Sequence, residues 1–150
     1  MFGRGNEEVV VAINAANGGS LWETSYVSPL DKEGMLLDFG GGPISTPLIV
    51  GTRLFTVGSM AVFHCLDKTT GEILWKHDLV QELSASYMQR GYAPSPLAFG
   101  DLVILTVGGR DSSVVAFQQS GGEIVWKSLD LRGSRPARSP PGSAGEAARV

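Results

Sequence analysis

Sulfur and imidazole are scarce in this chain: 150 residues hold one cysteine, Cys65, and two histidines, His64 and His77. A lone cysteine excludes an intrachain disulfide and leaves the redox compartment open. At a strand position it reads as a small buried hydrophobe rather than a reactive thiol. The two histidines stand thirteen residues apart with no Cys/His set around them, so they do not make a zinc site. No apolar run approaches the roughly 18 to 20 residues of a membrane span. Glu7 and Glu8 interrupt the first apolar stretch, which is too short for a signal peptide. That leaves either a cytoplasmic protein or a chain that begins downstream of its natural start. Gly40-Gly41-Gly42 runs into Pro43 without the Lys-Ser/Thr of a phosphate loop, and no G-x-S-x-G nucleophile elbow occurs. Positive charge is short as well. Residues 1–131 carry 8 Lys+Arg against 14 Asp+Glu, which excludes a nucleic-acid surface there.

What the chain does contain is a repeat. CLDKTTGEILW (Cys65 to Trp75) returns as AINAANGGSLW (Ala12 to Trp22) and as AFQQSGGEIVW (Ala116 to Trp126). Each copy ends a strand with an apolar residue, crosses a polar reversal, places glycine seventh (Gly18, Gly71, Gly122) and closes on tryptophan. This is a hairpin in which the glycine supplies positive φ and the indole anchors the second strand. We assign Trp22, Trp75, Trp126, Gly18, Gly71 and Gly122 as structural repeat anchors, with the indoles in the core or between units rather than stacked on a ligand.

Around the anchors the ruler extends. Ser45-Thr46-Pro47 leads four short strands, expected near residues 44–50, 53–58, 61–67 and 73–76; Pro94-Ser95-Pro96 leads four more, near 94–99, 102–107, 113–118 and 124–128. Connections this short make successive strands antiparallel neighbours. Between the units, Val80 to Met88 reads equally as a brief helix or an exposed loop. GRGNEEVVVAI (Gly3 to Ile13) parallels GRDSSVVAF (Gly109 to Phe117), so the chain is expected to open at the third strand of a unit. Thr24 to Asp38 reads as an outer strand and a loop, broken at Pro29 and Gly34. Residues 132–150 hold 4 Arg against 1 Glu with much Pro, Ser, Gly and Ala, and read as a disordered or non-homologous tail. The domain division is therefore 1–131, repeats of a longer propeller, and 132–150, the tail.

A four-stranded meander cannot bury both faces alone, so units stack, and radial stacking gives a β-propeller of usually four to eight blades. The expected fold class is all-β, a partial propeller of about two and a half four-stranded antiparallel blades; an ordinary sandwich or barrel is the alternative. Two and a half blades cannot close a ring, so the chain is expected to be a fragment.

At GPISTPLIVGTRLFTVGSMAVFHCLDKTTGEILWKHDL and YAPSPLAFGDLVILTVGGRDSSVVAFQQSGGEIVWKS the chain resembles the bacterial propellers of the pyrroloquinoline-quinone-like repeat family, over about residues 3 to 130. Unit two keeps Asp67, Thr70, Gly71, Glu72 and Trp75 of that pattern. Unit one departs at Asn14 and Ser20, and unit three at Gln118 and Gly121. The resemblance implies one of two activities. Some members are quinone-dependent alcohol or sugar dehydrogenases, with cofactor, metal ion and catalytic aspartate near the axis. Others are cofactor-free propellers that resemble the scaffold of outer-membrane protein assembly. The resemblance also implies a periplasmic or secreted full-length protein.

An orthoquinone enzyme needs a metal to polarise the carbonyl and a carboxylate to take the substrate proton. Asp38, Asp67, Asp101, Asp111 and Asp130 are available, but they are dispersed along the chain, and turn hydrogen bonding accounts for Asp67 and Asp101. Lys68, Lys76 and Lys127 read as solvated strand edges. Arg132, Arg135 and Arg138 read as part of the tail. No catalytic, cofactor-binding or metal residue is assigned, and no cofactor is expected; pyrroloquinoline quinone with calcium belongs only to the dehydrogenase alternative. The expected function is a non-catalytic scaffold. Its partners would be protein or a small extracytoplasmic ligand, together with the missing propeller blades, and not nucleic acid.

Overall fold

The computed structural model describes residues 1–28, 42–86 and 91–128. Among them, eleven strands and one short helix form three antiparallel sheets in chain order. The first holds β1 (Phe2–Arg4), β2 (Glu7–Ile13) and β3 (Ser20–Val27). The second holds β4 (Leu48–Val50), β5 (Arg53–Val57), β6 (Val62–Asp67) and β7 (Ile73–Asp78). The third holds β8 (Leu97–Phe99), β9 (Leu102–Gly109), β10 (Ser112–Gln118) and β11 (Ile124–Lys127). Strand order within each sheet follows the sequence, as hairpin connections require. The four-stranded blade of a propeller is thus present twice in full.

Register repeats as faithfully as order. Ala12 faces Trp22, Cys65 faces Trp75 and Ala116 faces Trp126. One residue further on, each pair slips by one, between Ala12 and Ile13, Cys65 and Leu66, and Ala116 and Phe117. A slip of this kind adds one residue to one strand and sharpens its twist. Three sheets that twist at the same point can lie against one another.

Four boundaries differ from the sequence reading. β4 and β8 begin at Leu48 and Leu97 rather than at 44 and 94, because Pro47 and Pro96 have no N–H for the ladder. The chain opens on the end of a second strand, not on a third. Gly5 at φ 61 turns Phe2–Arg4 back onto β2, where Gly3 opposes Glu8. Between the complete sheets, α1 (Leu79–Leu83) forms because the Asp78 side chain accepts from the N–H groups of Val80 and Gln81. Ser84 at φ 54 ends it, well short of Met88. Met88, Pro29, Gly34, Asp38, Asp130 and residues 132–150 lie outside the described residues.

The core sits between sheets. Phe55, Val57, Phe63 and Cys65 of the second sheet meet Val103, Leu105, Val115 and Phe117 of the third, capped by Leu79, Leu83 and Tyr92. Full burial of each large side chain contributes about 1.5–3 kcal/mol. Between the first and second sheets a smaller cluster joins Val10, Trp22 and Tyr26 to Leu54, Leu66 and Ile73. Consecutive Val9 and Val10 are both buried because β2 is covered on both faces.

Candidate functional site: the clasp between neighbouring sheets

Each sheet holds the next at two points, and both acceptors are main-chain carbonyls. Trp22 donates from Nε1 to the Lys68 carbonyl at 3.0 Å, and Thr24 donates from Oγ1 to the Gly71 carbonyl at 2.6 Å. One sheet on, Trp75 donates from Nε1 to the Gln119 carbonyl at 3.1 Å, and His77 Nε2 meets the Gly122 carbonyl at 2.8 Å. A carbonyl only accepts, so Nε2 of His77 is the donor in that contact. The anchors Trp22 and Trp75 therefore do more than fill space: their indole N–H groups, which need a partner once covered, fix the seating of the next turn.

The glycines explain themselves from the other side. Gly71 and Gly122 have φ of 76 and 82, a region costly for a residue with Cβ. They also lie directly under the indole. A Cβ on Gly122 would stand 2.7 Å from Cδ2 of Trp75, and one on Gly71 would overlap the Trp22 ring. Sequence reasoning supplied the first cause and missed the second. It also missed Thr24 and His77, although each stands two residues after a tryptophan and so shares its face of the strand.

Other polar groups serve the same boundaries. Glu8 is 1% exposed, and its carboxylate accepts from Ser59 N at 2.8 Å, from Ser59 Oγ at 2.5 Å and from Tyr26 OH at 2.9 Å. This carboxylate ties the first sheet to the turn after β5. Burial, then the neighbouring Glu8 charge, pushes the Tyr26 hydroxyl above its ordinary range. His64 packs against Tyr26 with ring centroids 4.2 Å apart. Burial first and Lys76 second lower the His64 imidazole to about 4. On the third sheet, Ser112 donates from Oγ to the Leu83 carbonyl at 2.8 Å. His77 is held from behind by Glu82, whose Oε2 lies 2.6 Å from Nδ1, while the other oxygen accepts from Asp78 N at 2.9 Å.

The carboxylates weighed for catalysis stay apart. Asp67 accepts in its own turn from Thr69 N at 2.7 Å and Thr70 N at 2.9 Å, and these bonds hold its carboxyl below the usual range. Asp101 and Asp111 sit in the β8–β9 and β9–β10 turns, Asp111 at φ 57. Among the described residues, no three His, Cys, Asp or Glu side chains gather as metal ligands. Cys65 is 0% exposed, and burial pushes its thiol up to about 11 despite the opposing charge of Arg53. Among the described residues, Trp126 and Gly18, the remaining anchors, bear on no neighbouring sheet: Trp126 is 41% exposed, and nothing stands within 4 Å of a Cβ position on Gly18.

Known proteins carry this architecture. The family model described as "Outer membrane protein assembly factor BamB" matches residues 6–149. No curated protein matches. Among solved structures, BamB from Moraxella catarrhalis is similar at 21% identity and a TM-score of 0.50, over 84% of this chain and 31% of that one. A quinohemoprotein alcohol dehydrogenase from Comamonas testosteroni is similar at 19% identity and a TM-score of 0.55, over 79% of this chain and 18% of that one. A europium-containing methanol dehydrogenase is similar at 18% identity and a TM-score of 0.53, over 79% and 20%. The chain thus spans under a third of the length of the structures it matches, and at these identities the likeness is one of fold. With the family model covering nearly the whole chain and the repeating sheets in register, this protein belongs to the pyrroloquinoline-quinone-like repeat β-propeller family described as outer membrane protein assembly factor BamB.

Proposed function

We propose that the chain is part of a non-catalytic propeller scaffold that binds protein through its exposed turns. One observation carries this reading. Four of the buried and half-buried polar side chains, Glu8, Thr24, His77 and Ser112, are each committed to a neighbouring sheet or to the α1 backbone rather than converging on a common reacting atom. Catalysis requires several groups within reach of one such atom, whereas these groups hold a rigid frame on which turns are displayed. The family description, an assembly factor for outer membrane proteins, supports a protein partner and a periplasmic setting for the full-length protein. No helix among the described residues is long and apolar enough to cross a membrane.

The test pairs two measurements. A photo-crosslinking residue at Arg110, in the β9–β10 turn, is expected to capture outer-membrane assembly components in a bacterial periplasm. Calorimetric titration with pyrroloquinoline quinone plus calcium, followed by dye reduction with alcohols and sugars, is expected to give no heat of binding and no turnover. Stoichiometric uptake with substrate-dependent reduction overturns the scaffold reading in favour of a quinone-dependent dehydrogenase.

A further inference from the structure

The two boundaries between sheets can be compared position by position, because the strands that form them align in register. On the third sheet, β9 and β10 turn Leu105, Val107 and Val115 toward the second sheet, and all three are buried in the shared core. Their counterparts on the second sheet, turned toward the first, are Thr56, Gly58 and His64: Thr56 opposes His64 on β5 and β6 as Leu105 opposes Val115 on β9 and β10. An apolar pair at one boundary is thus a polar pair at the other. The facing sheet changes with it. Glu8 precedes Ala12 as Ala61 precedes Cys65, and Tyr26 follows Trp22 as Leu79 follows Trp75, so two apolar residues of the second boundary are a carboxylate and a phenol at the first. Part of this polarity closes on itself. Tyr26 donates to Glu8, and Gly58 makes the room: a Cβ there would overlap the Glu8 carboxylate and stand 2.8 Å from the Tyr26 hydroxyl. The opposed pair is different. Thr56 and His64 are 0% and 2% exposed, and Thr56 Oγ1 and His64 Nδ1 have no hydrogen-bond partner among the described residues.

We propose that the boundary between the first and second sheets binds one buried water molecule, held by Thr56 Oγ1 and His64 Nδ1. Buried polar groups in folded proteins bond to protein or to ordered water, and one left unbonded loses its hydration with nothing in return. The nearest side chains do not serve this pair. The Tyr26 hydroxyl donates to Glu8 while its ring packs on His64, and Lys76, opposite His64 on β7, is exposed. Directly opposed residues on one face have Cβ atoms about 4.5–5.5 Å apart, so one small molecule reaches both. Water matches them chemically, because a hydroxyl and an imidazole each use a partner that both donates and accepts. One imidazole and one hydroxyl are too few ligands for a metal ion. A buried water is retained as part of the fold once it has two or more such partners. The second boundary is therefore sealed by apolar packing alone, and the first by packing around solvent held inside.

Two measurements test this independently. A crystal structure of the protein, at a resolution that shows ordered solvent, is expected to place one water within about 2.7–3.2 Å of both atoms. Thr56→Val keeps the shape of the side chain and removes only the hydroxyl, and its effect on stability has opposite signs in the two cases. With the water bound, the change breaks one of its bonds and lowers the folded-to-unfolded ratio about fivefold, read from urea midpoints at constant slope. With no water, the change deletes an unbonded buried hydroxyl and raises that ratio. The crystal structure of the unaltered protein decides the matter even where the variant does not fold. A crystal in which Thr56 and His64 bond each other directly, or have no water between them, overturns the proposal. So does a Thr56→Val protein at least as stable as its parent.

Discussion

Substituting Gly122 by alanine separates the two reasons for a glycine under each indole. At φ 82 any L-residue is strained by about 1–2 kcal/mol. The new Cβ would also lie 2.7 Å from the Trp75 ring, inside van der Waals contact, and the ring cannot retreat because Phe55, Phe63 and Phe117 surround it. Forcing extra volume into such packing costs about 1–3 kcal/mol. Gly100 is the internal control, with φ 55 and nothing within 4 Å of a Cβ. Gly100→Ala should therefore lose only the conformational part. Urea unfolding of the two variants, read as the shift in midpoint at constant slope, should place Gly122→Ala about 1–3 kcal/mol below Gly100→Ala. Combining Gly122→Ala with Trp75→Phe should be markedly less than additive, since the smaller ring removes the clash. Equal losses at the two glycines, or strict additivity with Trp75→Phe, would refute the idea that the indole adds its own requirement for glycine to that of the backbone angle.

Other outcomes follow from the buried groups. Glu8→Ala strips the acceptor from Ser59 N, Ser59 Oγ and Tyr26 OH at once and should cost several kcal/mol, while Glu8→Gln keeps one carbonyl oxygen and should cost less; urea midpoints report the difference. His64 has its folded pKa depressed to about 4, so the folded state binds its proton less readily than the unfolded chain does. The stability it confers is fully present above about pH 6.5 and is lost as pH falls toward 4, by at most about 3 kcal/mol. Thermal melts across that window should flatten in His64→Gln. The Cys65 thiol, buried and pushed up to about 11, should react with a disulfide reagent at pH 8 only at the rate of opening, and stoichiometrically in denaturant.

Most of the fold was legible because the chain repeats itself. Any one of the three glycine-to-tryptophan frames is a weak hairpin signal. Three in register fix strand order, the place of the indole and the stacking of units. Strand ends were less legible, since Pro47 and Pro96 stop a ladder at a backbone donor and leave the apolar pattern untouched. The clasp was half legible. Trp22 and Trp75 stood out by size, but Thr24 and His77 did not, because Thr24, His77 and Ser128 occupy one position with three chemistries. What Thr24 and His77 share, a side-chain donor aimed at a carbonyl, appears only when the next sheet is in place, whereas Ser128 Oγ accepts from Val114 N within its own sheet. Glu8 shows the limit from the other direction. In the sequence it is one acid of a Glu-Glu pair, and only the turn carrying Ser59, 51 residues away, makes it a buried acceptor.

Because the clasp is received by carbonyl oxygens, the receiving turn is recognised by its backbone path and not by its letters. LDKTTGE and FQQSGGE each accept a tryptophan, Trp22 and Trp75, with almost no side chain in common. Any unit that keeps a glycine at the bend can therefore follow any unit that ends in an indole. A unit could be copied, deleted or moved along the gene without redesigning its neighbours. Drift is then free in the residues between the strands, where new partners would be met, and constrained at one glycine and one tryptophan per unit.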